Sequence, residues 1–113
     1  MTVTIYHNPR CSKSRQTLTL LKERGIDPKI VEYLQTPPTA EELRRILGLL
    51  GLRPRDLLRK KEAKEAGLDN PSLDDDALIA GMAAHPIAIE RPIVLARGKA
   101  ALGRPPERVL DIL

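Results

Sequence analysis

The sequence has almost none of the residues that build disulfides, multi-cysteine metal sites or aromatic binding platforms. Its 113 residues include one cysteine, Cys11, and two tyrosines, with no phenylalanine and no tryptophan. A single cysteine excludes an internal disulfide and any zinc site made from several cysteines, and we expect no bound metal. With so few aromatic side chains, the core must be built from Leu, Ile, Val and Ala.

Long apolar runs are also missing from the sequence. No apolar run is long enough to span a bilayer, and no charged segment followed by an apolar one stands at the start. We therefore expect a cytoplasmic protein with no membrane partner. A lone thiol stays reduced in that compartment.

The positive charge of the chain is modest and scattered. The formal net charge is +4, but Lys and Arg are interspersed with acids, as in the stretch from Arg59 to Glu65. Because there are almost no aromatic side chains to stack on bases, we expect no nucleic-acid partner. A mildly basic surface is equally suited to a small anionic substrate.

The first third of the chain predicts a strand, a helix and a second strand. Val3 and Ile5 alternate with polar residues as in a strand, and the helix that follows begins at Cys11 or Ser12. The apolar stretch over residues 28–33 predicts the second strand. The cysteine is therefore expected at the start of the first helix.

The rest of the chain predicts several helices, then a hairpin, then a final helix. Thr39 and Glu42 have the spacing of a capping box before an amphipathic helix, and helical patterns continue to about residue 85. Residues 92–103 predict a β-hairpin, and residues 107–113 a final helix. The expected fold class is α/β, a thioredoxin-like core (βαβ…ββα) with a helical insertion over about 39–85, all in one domain spanning 1–113.

Cys11 is in a position that favours reactivity. Unpaired backbone N–H groups at the start of a helix stabilise a thiolate and can also hold an oxyanion. Lys13 and Arg15 add positive charge, and His7 is expected to reach the sulfur if the loop folds back. The alternative is that Cys11 is a buried, small apolar residue with no chemical role.

Two common thiol motifs are absent from the sequence around Cys11. A dithiol motif needs a second cysteine at position 14, where this chain has Ser14, so no internal resolving thiol exists. A phosphatase loop needs arginine at position 17, where this chain has Thr17. Arg15, one helical turn after the cysteine, is still expected to help shield a bound anion.

Three arginines elsewhere stand beside structural breaks. Arg91 and Arg104 each precede a proline, and Arg59 lies between apolar residues and a charge cluster. Guanidinium groups bind oxyanions with paired hydrogen bonds, and an Arg–Pro bond can be cis. Taken alone, each of these arginines is better interpreted as a solvated surface residue than as an oxyanion ligand.

The ordered set of these residues resembles one family over essentially the whole chain, the glutaredoxin-coupled arsenate reductases, and within it the short branch that ends soon after the last helix. The set comprises His7-Asn8-Pro9, Cys11, Ser14-Arg15, Thr17-Leu18, Glu32-Tyr33-Leu34, Pro37-Pro38, Leu58-Arg59-Lys60, His85-Pro86, Arg91-Pro92-Ile93-Val94 and Gly103-Arg104-Pro105.

The resemblance implies a thioredoxin-like fold and arsenate reductase activity. It implies that Cys11 attacks arsenate, with His7 and Ser14 beside the sulfur. It further implies that glutathione and glutaredoxin, as external reductants, complete the reduction to arsenite, and that no cofactor is bound. The arginines implied to hold the arsenate oxygens are Arg59, Arg91 and Arg104, and the implied cis bond joins Arg91 to Pro92.

Two other functions remain open from the sequence. Proteins of a related family on the same fold bind RNA polymerase and sense redox state, although they typically carry Cys-x-x-Cys. A monothiol oxidoreductase acting on glutathionylated proteins would share the thiol without requiring three oxyanion-binding arginines.

Overall fold

The secondary structure alternates between strands and helices as the sequence predicts. The computed structural model of the protein describes residues 2–113. The elements are β1 Val3–His7, α1 Ser12–Glu23, β2 Lys29–Glu32, α2 Ala40–Leu50, α3 Lys60–Glu65, α4 Asp75–Ala84, β3 Ile93–Ala96 and β4 Lys99–Leu102, with 3-10 helices at Pro54–Leu57, Pro86–Ala88 and Pro106–Ile112. Within residues 2–113, no helix has the length and apolar character needed to cross a membrane.

The chain divides into two compact units. The first comprises the described residues up to Thr36 together with Arg91–Leu113, and the second is Pro37–Glu90. The second unit contains α2, α3 and α4 and extends a few residues beyond the predicted insertion at both ends. That the two units form one domain stays a prediction.

The first unit is built on a four-stranded sheet of order β2-β1-β3-β4. β1 pairs with β2 in parallel and with β3 antiparallel, and β3 pairs with β4 antiparallel. The apolar side chains of the sheet pack with those of α1 and the C-terminal 3-10 helix, around a core that includes Ile5, Leu21, Val94 and Val109. This arrangement confirms the predicted α/β, thioredoxin-like fold.

The hairpin differs from the prediction by one residue at its turn. Arg97 and Gly98 both have positive φ, at 54° and 72°, as a two-residue hairpin turn requires. Lys99, predicted in the turn, is instead the first residue of β4 and pairs with Ala96. The prediction also treated the last helix as an ordinary helix, whereas Pro106–Ile112 is a 3-10 helix, the tighter form common in short terminal segments.

The second unit begins as the capping pattern predicts. The Thr39 hydroxyl accepts a hydrogen bond from the Glu42 backbone N–H at 3.1 Å, and α2 ends at Gly51, whose φ of 69° favours glycine. The Asp74 side chain caps α4 in the same way. The small core of this unit includes Ala63, Leu78 and other apolar side chains.

Candidate active site

The site is built where the two parallel strands end. The carboxyl ends of β1 and β2 are side by side, because His7 is paired with Glu32 in the register. The next residue of each strand, Asn8 and Tyr33, is therefore at the same edge of the sheet. Cys11 follows three residues after Asn8, in an extended conformation that caps α1.

Hydrogen bonds fix the loop that carries Cys11. The Cys11 backbone N–H donates to the Asn8 carbonyl at 3.0 Å, and the Arg10 N–H donates to the Asn8 side-chain oxygen at 3.0 Å. Arg15 reaches back from α1 and donates to the Pro9 carbonyl at 2.9 Å. The buried Asn8 therefore fixes this short loop from the protein interior, and Arg15 fixes it from α1.

His7 and Ser14, both predicted beside the sulfur, are buried and bonded to each other. His7 Nδ1 and Ser14 Oγ are 2.6 Å apart, and Ser14 Oγ also accepts from the Asn8 backbone N–H at 3.1 Å. Burial lowers the pKa of His7 below its ordinary 6.5, with Glu32 opposing the shift, so the imidazole is neutral at neutral pH. This pair therefore ties β1 to α1 behind the loop and carries no charge.

The surroundings of the Cys11 thiol favour its ionised form. Burial, the largest contribution, raises its pKa, but hydrogen bonds from backbone groups at Ser14 and Lys13 and from the Arg91 side chain outweigh it. The net pKa of Cys11 therefore lies below its ordinary value. The predicted activation at the start of α1 is present, and Arg91 adds to it from the segment just before β3.

Arg91 and Arg104, 13 residues apart on either side of the hairpin, are brought together. Arg104 Nη1 donates to the Arg91 carbonyl at 3.1 Å, and the Gly103 N–H donates to the Pro92 carbonyl at 3.0 Å. The Arg91–Pro92 bond is cis, which confirms that prediction, and the Arg104–Pro105 bond is cis as well, which was not predicted. Gly103 is needed here because a Cβ would meet Thr17 Oγ1 and would lie 2.7 Å from Pro92 Cγ.

Arg59 belongs to the second unit, where two carboxylates hold it. Its Nε is 3.1 Å from Glu62 and its Nη1 is 2.7 Å from Glu90. Burial lowers the pKa of Arg59, but the two carboxylates reverse this effect and raise it. Two backbone bonds, from Arg59 to Ala88 and from Glu90 to Leu57, fix the same segment. The role of Arg59 in binding an anion stays a prediction, and its carboxylate partners were not predicted.

The residue that sequence reasoning did not place in the site is Tyr33. It is 2% exposed, and both Arg91 and Cys11 influence its hydroxyl. Its position at the end of the second predicted strand was the available signal, because parallel strands that flank one helix end at the same edge. Across residues 2–113 there is no group of three or more His, Cys, Asp or Glu side chains arranged to hold a metal ion.

The fold and the site together define a thioredoxin-like protein with a single activated thiol at the start of its first helix. The sequence profile of the ArsC family matches residues 6–112, which is nearly the whole chain. The chain therefore belongs to the ArsC family.

Named relatives are similar to nearly all of this chain and to most of their own length. A protein named arsenate reductase from Neisseria meningitidis serogroup B is 55% identical, with 98% of this chain and 97% of that protein aligned. An arsenate reductase from Rhizobium meliloti is 48% identical, with 100% of this chain and 82% of that protein aligned. A solved structure described as arsenate reductase from Vibrio cholerae has a TM-score of 0.95 and 55% identity, covering 100% of this chain and 98% of that one.

Proposed function

We propose that the protein is an arsenate reductase in which the Cys11 thiolate is the nucleophile. The observation that carries the proposal is a lone thiol whose pKa is lowered although burial opposes the shift, because backbone groups of α1 and the Arg91 side chain stabilise its anion. The same groups suit a bound oxyanion. Two relatives from Neisseria meningitidis, 55% identical over almost the whole chain, carry the name arsenate reductase, which supports arsenate as the anion.

In the proposed first step, the sulfur of Cys11 forms a bond to arsenic and one arsenate oxygen leaves as water. Attack of an anion on an anion is opposed by charge repulsion, so positive groups must be close to both reactants. Arg91 meets this need from its hydrogen bond to the thiol, and Arg104 is held against the backbone of Arg91. Arg15, which donates a hydrogen bond to the Pro9 carbonyl, adds a third positive charge near the loop that carries Cys11.

The remaining electrons must come from other thiols, because the chain has one cysteine. Glutathione displaces a second oxygen of the arsenic adduct as water. The thiol of glutaredoxin then attacks the glutathione sulfur, forming a mixed disulfide, and the two electrons of the broken As–S bond reduce As(V) to As(III). Water releases arsenite and restores the Cys11 thiol. Such a cycle suits the cytoplasm, where glutathione is kept reduced.

Within this proposal, His7 and Ser14 act on the loop and make no bond to arsenate. Their mutual hydrogen bond and the bond from the Asn8 N–H hold the loop that presents Cys11. The Glu62 and Glu90 carboxylates orient Arg59 and offset its charge, so we expect Arg59 to add less to anion binding than Arg91 does.

The test is a coupled assay with purified protein, arsenate, glutathione and glutaredoxin, following NADPH oxidation through glutathione reductase. We expect arsenate-dependent turnover that Cys11→Ser abolishes and Arg91→Ala reduces by a hundredfold or so, as the loss of a charged hydrogen bond implies. Arg24→Ala, at the exposed end of α1, is the matched control and should retain activity. No turnover above the Cys11→Ser background would reject the proposal.

The same variants separate arsenate reduction from general thiol exchange. If the protein were a monothiol oxidoreductase for glutathionylated substrates, Arg91→Ala and Arg104→Ala would leave turnover of a small glutathione mixed disulfide largely intact and there would be no arsenate turnover. Stable association with RNA polymerase, without reductase activity, would instead favour the regulator.

A further inference from the structure

Tyr33 presents an unusual polar group next to the proposed site. The side chain is 2% exposed, and its hydroxyl oxygen is buried without a hydrogen bond of ordinary geometry within residues 2–113, although the Asn8 and Arg91 side chains are close enough to lower its pKa. Buried hydroxyls are normally hydrogen-bonded, because leaving one unpaired costs stability. Phenylalanine would fill nearly the same volume without that cost, so packing alone gives no reason for a tyrosine at this position.

The Tyr33 hydroxyl lies close to the loop that carries Cys11. Tyr33 follows β2 at the edge where Asn8 follows β1, and the Asn8 carbonyl accepts from the Cys11 N–H at 3.0 Å. Burial raises the pKa of Tyr33, the Arg91 guanidinium and the Asn8 side chain oppose the rise, and the Cys11 thiolate adds to it. The Tyr33 hydroxyl therefore lies close enough to both Arg91 and Cys11 for their charges to affect its pKa.

We propose that Tyr33 is a substrate-contacting residue whose hydroxyl donates a hydrogen bond to the tetrahedral oxyanion held at Cys11 and Arg91. The inference rests on the proposed function and deepens it by adding a neutral donor to the arginines. A phenol donates to an anionic oxygen without changing the charge of the site. Because the hydroxyl is buried, an anion reaches it only when the neighbouring side chains shift, so binding is expected to change the surroundings of the ring.

The composition of the chain offers a direct readout for this contact. There is no tryptophan and there are only two tyrosines, Tyr6 and Tyr33, so near-ultraviolet emission reports these two rings alone. Tyr6→Phe is the matched control, because Tyr6 lies within β1 and its replacement leaves Tyr33 as the sole fluorophore. Arsenate titrations in the Cys11→Ser background measure binding without turnover.

We expect arsenate to change the tyrosine emission of the single variant Cys11→Ser and of the double variant Cys11→Ser/Tyr6→Phe. The emission of the double variant Cys11→Ser/Tyr33→Phe should stay unchanged. In the otherwise native enzyme, Tyr33→Phe should lower kcat/KM for arsenate about ten- to a hundredfold, the range for one hydrogen bond to a charged group. The rate of Cys11 alkylation should stay the same. The melting temperature should stay the same or rise, because an unpaired buried hydroxyl is removed.

Three results would overturn the inference. One is an unchanged kcat/KM in Tyr33→Phe together with unchanged arsenate affinity. Another is a lower melting temperature with slower Cys11 alkylation, which would show that the hydroxyl supports the fold. The third is the absence of arsenate binding by Cys11→Ser in equilibrium dialysis. If the native enzyme binds arsenate but does not turn it over, the proposed function fails while the binding comparison still decides the role of Tyr33.

Discussion

Ser14→Ala should destabilise the protein far more than the loss of one oxygen atom suggests. Ser14 is fully buried, and its Oγ pairs with His7 Nδ1 at 2.6 Å and accepts from the Asn8 N–H at 3.1 Å. Alanine removes both bonds and leaves two buried polar groups without this partner. Each such group costs about 1–3 kcal/mol, so the free energy of unfolding should fall by about 2–6 kcal/mol.

The assay is urea and thermal unfolding of Ser14→Ala beside Ser12→Ala. Ser12 is exposed at the first position of α1, so its variant should stay within about 0.5 kcal/mol of the native protein. At roughly 4 °C per kcal/mol for a chain of this size, Ser14→Ala should lower the melting temperature by about 8–24 °C. A Ser14→Ala protein as stable as Ser12→Ala would refute the reasoning that this pair holds the loop.

Three further predictions concern other contacts. Gly103→Ala should cost about 1–3 kcal/mol, because the new Cβ would clash with Thr17 and Pro92, whereas Gly48→Ala, with open space at its Cβ in α2, should stabilise slightly; equal unfolding midpoints would contradict this. Glu90→Gln should lower the free energy of unfolding in urea by about 1 kcal/mol, since its ion pair with Arg59 is only partly exposed. Asp76→Asn, which removes the exposed ion pair between Asp76 and Arg44, should have no measurable effect. Burial lowers the pKa of His7, so as the pH drops the imidazole is protonated in the unfolded chain before it is protonated in the folded one. The free energy of unfolding should therefore fall as pH drops below 6.5 and level off below the folded-state pKa. The urea midpoint of His7→Gln should lack this pH dependence, whereas that of the exposed His85→Gln should keep it.

The local features of the fold followed from local sequence signals. Strand alternation at Val3 and Ile5 and the capping spacing at Thr39 act over a few residues, and both are present in the structure. The last helix was assigned the wrong type, because a short segment beginning with proline has little to distinguish an α-helix from the tighter 3-10 form.

The contacts of the site depended on distant parts of the chain. Glu90 meets Arg59 across 31 residues, and Arg91, from the other end of the chain, meets the Cys11 thiol; no local pattern encodes either contact. Only the family resemblance selected Arg59, Arg91 and Arg104 from the other arginines. The unpartnered hydroxyl of Tyr33 becomes evident only once the surroundings of the side chain are known.

The central claim, that Cys11 is an activated thiolate at an oxyanion site, is tested most directly by the pH dependence of Cys11 alkylation with and without arsenate. The chain has one cysteine, so the mass increase of the intact protein reports this residue alone. We predict a midpoint below the ordinary thiol pKa of about 8.5, a higher midpoint in Arg91→Ala, and slower alkylation when arsenate is present. A midpoint at the ordinary value, with no protection by arsenate, would contradict it.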